Sequence, residues 1–222
     1  MHAASYDAWY GSARGHWVGA TEYRLLAECL HAREGETLLD VGCGTGFFTR
    51  LLAAQGLWAT GLDLRKDWLD FARSHGDPGL SWVAGDARKL PFPDASFDHV
   101  VSVAALCFID DEPRAVAEIV RVTRGRFAIG LLNRTSLLYL QKGRGGGSGA
   151  YQGAQWHDKN EVVGLFSGLA VRHLAVHSAI FLPSGGPVAR LVERLLPRAL
   201  PLGALIVVSG EKWPESHVMR AS

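Results

Sequence analysis

The sequence predicts an α/β protein with an open, mostly parallel sheet. Short apolar runs alternate with amphipathic stretches of helical spacing, a glycine-rich turn directly follows the first such run, and two later runs each end in an acidic residue. Parallel strands that helices cover on both faces are expected to be almost continuously apolar, as several of these runs are. At 222 residues the chain is long enough for one such domain with its own core.

Composition argues against several classes of function. The chain has 23 lysines and arginines against 22 aspartates and glutamates, so no overall field favours nucleic acid or a membrane surface. No apolar stretch approaches the roughly 18–20 residues that would span a bilayer. Three well-separated cysteines, Cys29, Cys43 and Cys107, predict neither a disulfide framework nor a metal site. We therefore expect a cytoplasmic protein with no secretory signal, no metal, no nucleic-acid partner and no stable membrane insertion.

The first 34 residues predict two amphipathic helical pieces. The first is unusually aromatic, and the second, Thr21 to Ala32, places Leu25, Leu26, Cys29 and Leu30 on one face with Glu22 mostly off it. Thr21 is a suitable helix cap. The aromatic residues predict either packing against the edge of the domain or a flap over a ligand.

The turn after the first strand, residues 38–41, carries the most specific signal. Its glycines, Gly42, Gly44 and Gly46, follow Asp40 at alternate positions and precede a helical stretch, residues 47–54. A dinucleotide-binding turn has the different spacing Gly-x-Gly-x-x-Gly and directs a helix N-terminus at a pyrophosphate. An acid beside the turn would repel a pyrophosphate and favour a ligand with positive charge.

The second and third strands are predicted to end in acids. Asp63 ends residues 57–64, and a carboxylate there can accept hydrogen bonds from both hydroxyls of a ribose. The alternative is that Asp63 caps the following helix, Lys66–His75. Residues 80–84 predict a third strand that leads into Gly85, Asp86 and Ala87.

The remaining elements complete the predicted sheet. Residues 97–106 and 127–132 predict the fourth and fifth strands, with a helix from Asp110 to Thr123 between them, and His99 falls at the end of its strand where ligands do not bind. Residues 171–181 and 204–212 predict two closing strands. A short helix, residues 188–196, precedes the last of them, and its apolar face favours packing over membrane binding.

A glycine-rich segment, residues 143–149, is predicted to be a mobile loop, since five glycines in seven positions cannot pack a core. A hinge or lid is one interpretation of it. The polar and aromatic residues 151–158 then precede a helix over 159–167. His157 is the best candidate for a general base, because imidazoles titrate near neutral pH, although a solvated helix start is an equal alternative.

Two motifs together resemble a known family. The Asp40–Gly46 turn is similar to the first motif of class I S-adenosylmethionine-dependent methyltransferases, and the stretch from Leu90 to Asp98, Leu-Pro-Phe-Pro-Asp-Ala-Ser-Phe-Asp, is similar to that of their type 11 group. This group includes ubiquinone and menaquinone biosynthesis methyltransferases. The resemblance is specific over about residues 38–132. It implies a Rossmann-like, seven-stranded sheet with helices on both faces and its last strand antiparallel.

The resemblance implies a single domain over residues 1–222. Residues 1–34 would form a helical flap, 35–132 the cofactor-binding core, and 133–222 the substrate-side segments and closing strands. S-adenosylmethionine would place its methionine tail on the glycine turn, its ribose on Asp63 and its adenine on Asp86 and Ala87. The implied cofactor contacts are Asp40, Gly42, Cys43, Gly44, Gly46, Asp63, Leu64, Asp86, Ala87 and Val103, and, from the flap, Tyr6, Tyr10 and Arg14.

The implied activity is methyl transfer to a small, partly apolar acceptor, with S-adenosylhomocysteine as product. The acceptor side would include Cys107, Asn133, Tyr151 and Trp156. Because the sulfonium already activates the methyl group, alignment alone can supply ~7–11 kcal/mol when fully realised, and no triad or metal is required. The acceptor atom and the oligomeric state are not predicted. The alternative is a non-catalytic protein that keeps the fold and the cofactor as a sensor or assembly partner.

Overall fold

The computed structural model describes residues 2–76 and 78–213. Seven helices and seven strands occur in these two ranges, and the longest connection, between the fifth strand and the sixth helix, contains one π-helical and two 3₁₀ turns. The helices are α1 Ala3–Tyr10, α2 Ala13–Leu30, α3 Phe47–Ala53, α4 Lys66–His75, α5 Glu112–Val122, α6 Lys159–Gly164 and α7 Pro187–Leu195. The strands are β1 Thr37–Val41, β2 Trp58–Asp63, β3 Ser81–Ala84, β4 Phe97–Val103, β5 Thr123–Leu132, β6 Val171–Ala179 and β7 Leu205–Lys212.

The strands form one twisted sheet in the order β3-β2-β1-β4-β5-β7-β6. The pairs from β3 to β5 are all parallel, whereas β7 runs antiparallel to both β5 and β6. The strand order reverses between β1 and β4, so the turns after these strands diverge and leave a crevice at the carboxyl edge. The predicted seven-stranded fold with an antiparallel last strand is confirmed.

The central strands are buried on both faces. In β1 the successive residues Leu38, Leu39, Asp40 and Val41 are all at most 2% exposed, and successive side chains of a strand point to opposite faces. Helices must therefore cover both faces, as predicted. His99 lies at the amino end of β4, where its Nε2 is 2.7 Å from a carboxylate oxygen of Glu36, far from the crevice.

The second helix is longer than predicted, and the prediction that Thr21 caps it was wrong. The helix starts at Ala13, where the side chain of Ser12 accepts a hydrogen bond from the Gly15 N–H at 3.0 Å. Thr21 lies in the helix interior, and its hydroxyl donates to the carbonyl of Trp17 at 2.8 Å. Similarly, β5 begins at Thr123 and not at residue 127, because Thr123 already pairs with Phe97 of β4 across a bulge.

The apolar face of α7 is exposed, so of the two predicted kinds of packing, core or lid, core packing was wrong and a lid stays a prediction. Val188, Leu191 and Leu195 are 68%, 56% and 72% exposed. The helix turns Glu193 inward, where its carboxylate accepts hydrogen bonds from the N–H groups of Ile180 and Phe181 at 3.0–3.1 Å. These two backbone donors follow the end of β6, so the need to satisfy them explains the orientation of α7.

The glycine-rich segment, residues 143–149, forms short turns. A π-helical turn, Tyr139–Gly143, is followed by two 3₁₀ turns, Arg144–Gly146 and Gly149–Tyr151. A side chain at Gly143 would overlap the Tyr139 ring, its Cβ lying 2.2 Å from Cδ2 of that ring. Part of the predicted substrate-side segment, residues 214–222, lies outside the described residues. No helix in the described ranges is both long enough and apolar enough to span a bilayer.

Candidate functional site

The glycine turn between β1 and α3 is shaped by backbone conformations that require glycine. Gly42, Gly44 and Gly46 have φ values of 74°, 57° and 78°. A Cβ on Gly42 would lie 2.3 Å from Cβ of Ala105, and one on Gly46 would lie 2.3 Å from the ring of Trp82. Side chains at these positions are therefore excluded by both strain and space. The N–H groups of Gly42 and Cys43 both donate to the Leu62 carbonyl of β2, at 2.7 and 3.0 Å.

Asp40 lies beneath this turn and is only 2% exposed. It accepts a 2.6 Å hydrogen bond from the hydroxyl of Thr49 in α3. Burial, together with the charge of Asp63, raises the pKa of Asp40 to about 7 against the lowering effect of the Thr49 hydrogen bond. A cation resting on the turn would favour the ionised form of this carboxyl group, which is the charge preference that the sequence predicts.

Asp63 ends β2 and holds the glycine turn. One carboxylate oxygen accepts from the Gly44 N–H and the other from the Arg65 N–H, both at 2.8 Å. Arg65 is the residue before the first helical residue of α4, so Asp63 braces the start of that helix as well as the turn. An ionised carboxylate has about four acceptor positions, and the side chain stays partly exposed, so it can also accept ribose hydroxyls. Leu64, beside it, is 67% exposed and offers an apolar surface.

Asp86 follows β3 on the same edge. Its carboxylate accepts three hydrogen bonds from the Arg88 guanidinium, at 3.0, 3.1 and 2.7 Å, and one from the Arg88 backbone N–H at 2.9 Å. These bonds to Arg88 hold the pKa of Asp86 below its usual value. Ala87 is buried, and Val103, at the end of β4, is partly exposed. The sheet thus brings the glycine turn, Asp63, Asp86 and Val103 to one edge.

The N-terminal helix α1 lies against the glycine turn and the start of α3. Tyr10 stacks on Phe47 with ring centroids 3.7 Å apart, and the hydroxyls of Tyr6 and Tyr10 are 3.2 Å apart. Asp7 pairs with Arg50 at 2.9 Å, and Arg50 donates to the carbonyl of Thr45 within the turn. Both predicted roles of this region, packing and a flap, are compatible with these contacts.

Three predicted acceptor contacts are directed into the protein. Cys107 is fully buried and its sulfur accepts from the Leu132 N–H at 3.1 Å, while burial raises its pKa to about 12. Asn133 is also fully buried, and its amide donates to the carbonyls of Pro201 and Gly203. Trp156 is 9% exposed. Their burial gives no support to the predicted contact with an acceptor.

His157 forms a buried pair with Glu112. Its Nε2 is 2.7 Å from a carboxylate oxygen of Glu112, and the two residues are 8% and 5% exposed. Within the described residues, Nδ1 of His157 and the second carboxylate oxygen of Glu112 are buried with no hydrogen-bond partner. The predicted role as general base requires access to the acceptor, and neither nitrogen is accessible in this arrangement. The role stays a prediction.

The predicted acceptor side includes a residue that sequence reasoning missed. Glu22 of α2 is surrounded by protein and only partly exposed, close enough to Tyr6, Tyr10 and Tyr151 for its charge to raise their pKa values. The predicted helix began at Thr21, which placed Glu22 at a helix end, so its enclosed position was not foreseen. Counted from Ala13, Glu22 lies four residues beyond Val18 and three before Leu25, inside the apolar stripe.

The outer rim of this side includes Arg14, which is exposed and lowers the pKa of Tyr151 against the larger raising effect of burial. Cys43 is partly exposed, and burial raises the pKa of its thiol well above the usual value, so it is no nucleophile. No group of three or more metal-ligating side chains occurs in residues 2–76 and 78–213.

Comparison with known proteins identifies the central part of the chain. The family model described as a methyltransferase domain matches residues 39–129. A biotin biosynthesis bifunctional protein, BioHC, of Cellvibrio japonicus is 38% identical over 143 residues, which cover 63% of this chain and 27% of that protein. A malonyl-[acyl-carrier protein] O-methyltransferase of Serratia marcescens is 42% identical over 122 residues, 55% of this chain and 45% of that enzyme.

The fold comparison extends over almost the whole chain. A crystal structure of an S-adenosylmethionine-dependent methyltransferase from Thermotoga maritima, described as a possible histamine N-methyltransferase, superposes with a TM-score of 0.75. The match covers 94% of this chain and 95% of that one at 24% identity. The chain spans less than half the length of the two curated relatives. Residues 39–129 thus match a methyltransferase domain, and in its sequence motifs, its strand order and its glycine turn the chain is similar to the class I S-adenosylmethionine-dependent methyltransferases.

Proposed function

We propose that this protein transfers the methyl group of S-adenosylmethionine to a small, partly apolar acceptor and releases S-adenosylhomocysteine. The observation that carries the proposal is the convergence of the glycine turn, Asp63 and Asp86 at one edge of the sheet. In the proposed complex the methionine part lies on the turn, the ribose hydroxyls donate to Asp63, and the adenine amino group donates to Asp86. The remaining cofactor contacts are those implied by the family resemblance.

The charges at this edge support a cationic cofactor over a dinucleotide. Asp40 and Asp63 lie beneath and beside the turn, and both would oppose a pyrophosphate. The turn also uses two of its N–H groups for the Leu62 carbonyl, which removes donors that a phosphate would need. A ligand with an ammonium and a sulfonium suits these carboxylates.

The chemistry requires little from the protein beyond alignment. The acceptor nucleophile attacks the methyl carbon in line with the breaking carbon–sulfur bond, and the electron pair of that bond stays on sulfur. Helix α1 and the glycine turn would exclude water and fix the sulfonium, and the acceptor would approach from the side of α2 and Tyr151. Positioning of this kind can supply much of the rate.

Calorimetric titration with S-adenosylmethionine and with NAD tests the cofactor assignment. We expect binding of S-adenosylmethionine and S-adenosylhomocysteine and none of NAD. Tight NAD binding without S-adenosylmethionine binding would overturn the proposal. A second assay follows S-adenosylhomocysteine release with a panel of small acceptors. Binding without turnover of any acceptor would favour the alternative, a non-catalytic cofactor-binding protein.

A further inference from the structure

Helix α7 presents a ridge of apolar side chains that no other described part of the chain covers. Val188, Leu191 and Leu195 are 68%, 56% and 72% exposed. At about 100° per residue, these three positions fall within roughly 60° of one another around the helix axis, so their side chains are contiguous. Single exposed apolar residues are ordinary on a protein surface, whereas a contiguous group of them indicates an interaction site.

The inner face of α7 fixes the direction of this ridge. Ala189 is fully buried, and the Glu193 carboxylate accepts hydrogen bonds from the N–H groups of Ile180 and Phe181 at 3.0–3.1 Å. These residues lie on the side of the helix away from the ridge. The outward direction of the apolar side chains is therefore set by the same contacts that satisfy the backbone after β6.

The charges beside the ridge are positive. Arg190 and Arg194 are exposed on one side of it, and Arg194 lies only about 60° around the helix axis from Leu191. Arg190 donates to the carbonyl of Gly185 at 3.1 Å, and neither guanidinium pairs with a carboxylate among the described residues. The one acid in the sequence of α7 is Glu193, which is turned inward. The outer face of the helix is thus apolar and basic.

A third arginine extends this charge at the amino end of α7. Gly185, just before the helix, lies against the start of α2, since a Cβ on it would be 3.1 Å from Cγ of Arg14 and 3.3 Å from the ring of Trp17. Arg14 is exposed and has no ion pair within the described ranges. Exposed charges of one sign attract a partner of the opposite sign.

We propose that α7 is a reversible docking site for an anionic membrane surface. Val188, Leu191 and Leu195 would enter the boundary between headgroups and acyl chains, and the three arginines would bind lipid phosphates, which a guanidinium can contact with two hydrogen bonds. A bilayer conforms to a convex ridge, whereas a protein partner would need a complementary groove. Binding of this kind lies on the surface and inserts no spanning helix, and it goes beyond the proposed function.

The place of α7 in the fold decides which edge of the sheet would face the lipid. Ala179, at the end of β6, pairs with Leu205 at the start of β7, and Leu205 pairs with Leu132 at the end of β5. The segment that contains α7 therefore leaves and rejoins the sheet at its carboxyl edge, the edge of the glycine turn. Exposed residues at the amino edge lie on the opposite side and provide controls.

Co-sedimentation with lipid vesicles tests the inference. One set of vesicles contains equal parts of phosphatidylglycerol and phosphatidylcholine, and the other contains phosphatidylcholine alone. We expect the wild type to bind the anionic vesicles at least about tenfold more strongly, because each of three arginines near an anionic surface contributes to binding. Added salt should weaken the binding by screening these charges.

Matched variants separate the ridge from the general surface. Leu191→Ser combined with Leu195→Ser should lower the partition coefficient on anionic vesicles at least about tenfold, and Arg194→Gln should lower it about fivefold. Trp58→Ser and Arg33→Gln remove exposed residues at the amino edge and should bind as the wild type does. Circular dichroism verifies folding. Should the double leucine variant fail to fold, Arg194→Gln and the dependence on salt still decide.

Several outcomes would overturn the inference. They are no binding to anionic vesicles, equal binding to neutral ones, and losses in Trp58→Ser as large as those in the double leucine variant. A dimer in light scattering that the double leucine variant converts to a monomer would assign the ridge to a second copy of the chain. Binding to soluble polyglutamate but not to vesicles would assign it to an acidic protein. None of these measurements requires the cofactor, so they are independent of the proposed function.

Discussion

The acidic side chains at the two ends of the cleft differ in how they are hydrogen-bonded. At the cofactor end, Asp40 accepts from Thr49, Asp63 from two backbone N–H groups, and Asp86 from Arg88. At the acceptor end, Glu22 has no hydrogen-bond donor among the described residues. The difference indicates that the chain itself organises the proposed cofactor end before any ligand binds.

The largest effect is expected at the cofactor end from Gly46→Val. The new side chain would meet the Trp82 ring at a positive φ, and we expect loss of S-adenosylmethionine binding with a fall of about 3 kcal/mol or more in the free energy of unfolding. Gly35→Val is the matched control, because its φ of 84° is as strained but no atom lies within 4 Å. Equal losses in both variants would show that strain, and not the close approach to Trp82, sets the requirement.

A second test of the organised end is Asp63→Asn. The amide keeps one acceptor oxygen but loses the charge, and hydrogen bonds to charged groups contribute about 1.5–3 kcal/mol, so affinity for S-adenosylmethionine should fall roughly 10–100-fold. Calorimetric titration measures this directly. Asp67→Asn, four residues along and exposed, should bind like the wild type. An unchanged affinity in Asp63→Asn would reject the ribose assignment.

Substitution of His157 tests whether its buried pair with Glu112 acts in the reaction or stabilises the fold. If it braces the fold, His157→Gln should lower the free energy of unfolding by roughly 1–3 kcal/mol with kcat nearly unchanged, since it leaves a buried carboxylate unpaired. The double variant His157→Gln with Glu112→Gln should recover stability by restoring a neutral pair. A fall in kcat of about 100-fold at unchanged stability would instead support the predicted general base.

Glu22, at the acceptor end, should make the free energy of unfolding depend on pH. The folded pKa of Glu22, about 8, lies above its ordinary 4.5, so the folded state holds this proton more tightly than the unfolded state. Its favourable contribution is complete below pH 4.5 and is lost as the pH rises to 8. The groups facing it are Glu193, Tyr6, Tyr10 and Tyr151.

We therefore expect the melting temperature of the wild type, relative to Glu22→Gln, to fall by a few degrees between pH 5 and pH 8.5. Parallel melting curves of the two proteins across this range provide the measurement. If the difference between them does not change with pH, Glu22 has a donor or cation in solution, and the contrast between the two ends disappears.

The smallest effect is expected from Asp86→Asn. Its carboxylate is partly exposed and already paired with Arg88, so solvent screens its contribution and S-adenosylmethionine should bind only about 2–5-fold more weakly. Asp94→Asn, which removes an exposed carboxylate paired with Arg121, is the control. A loss greater than that of Asp63→Asn would place the main recognition at the adenine and not at the ribose.

Sequence reasoning predicted the fold correctly and placed the glycine turn and its acids at one edge of the sheet, because their signals are local. The Gly42–Gly46 spacing and the acids that end two strands are short patterns, and parallel strands bring their carboxyl ends together whatever the intervening lengths. It could not anticipate the burial of side chains whose neighbours come from distant segments, and the acceptor contacts stay predictions. Cys107 and Asn133 fall near the strand ends in sequence, but their neighbours turn both side chains into the core.

The sequence by itself determined the family, the order of the central elements and the acidic glycine turn, since each depends on residues within about one strand–turn–helix unit. Only the tertiary structure shows that Glu22 is enclosed near Glu193 and three tyrosines, because nothing in the sequence pattern of its helix predicts this. Those residues come from α1, α2, α7 and the turn at Tyr151, and only packing brings them together. The free energy of burying an unpaired carboxylate depends on every neighbouring charge and hydrogen-bond donor, so it can be judged only from the tertiary structure.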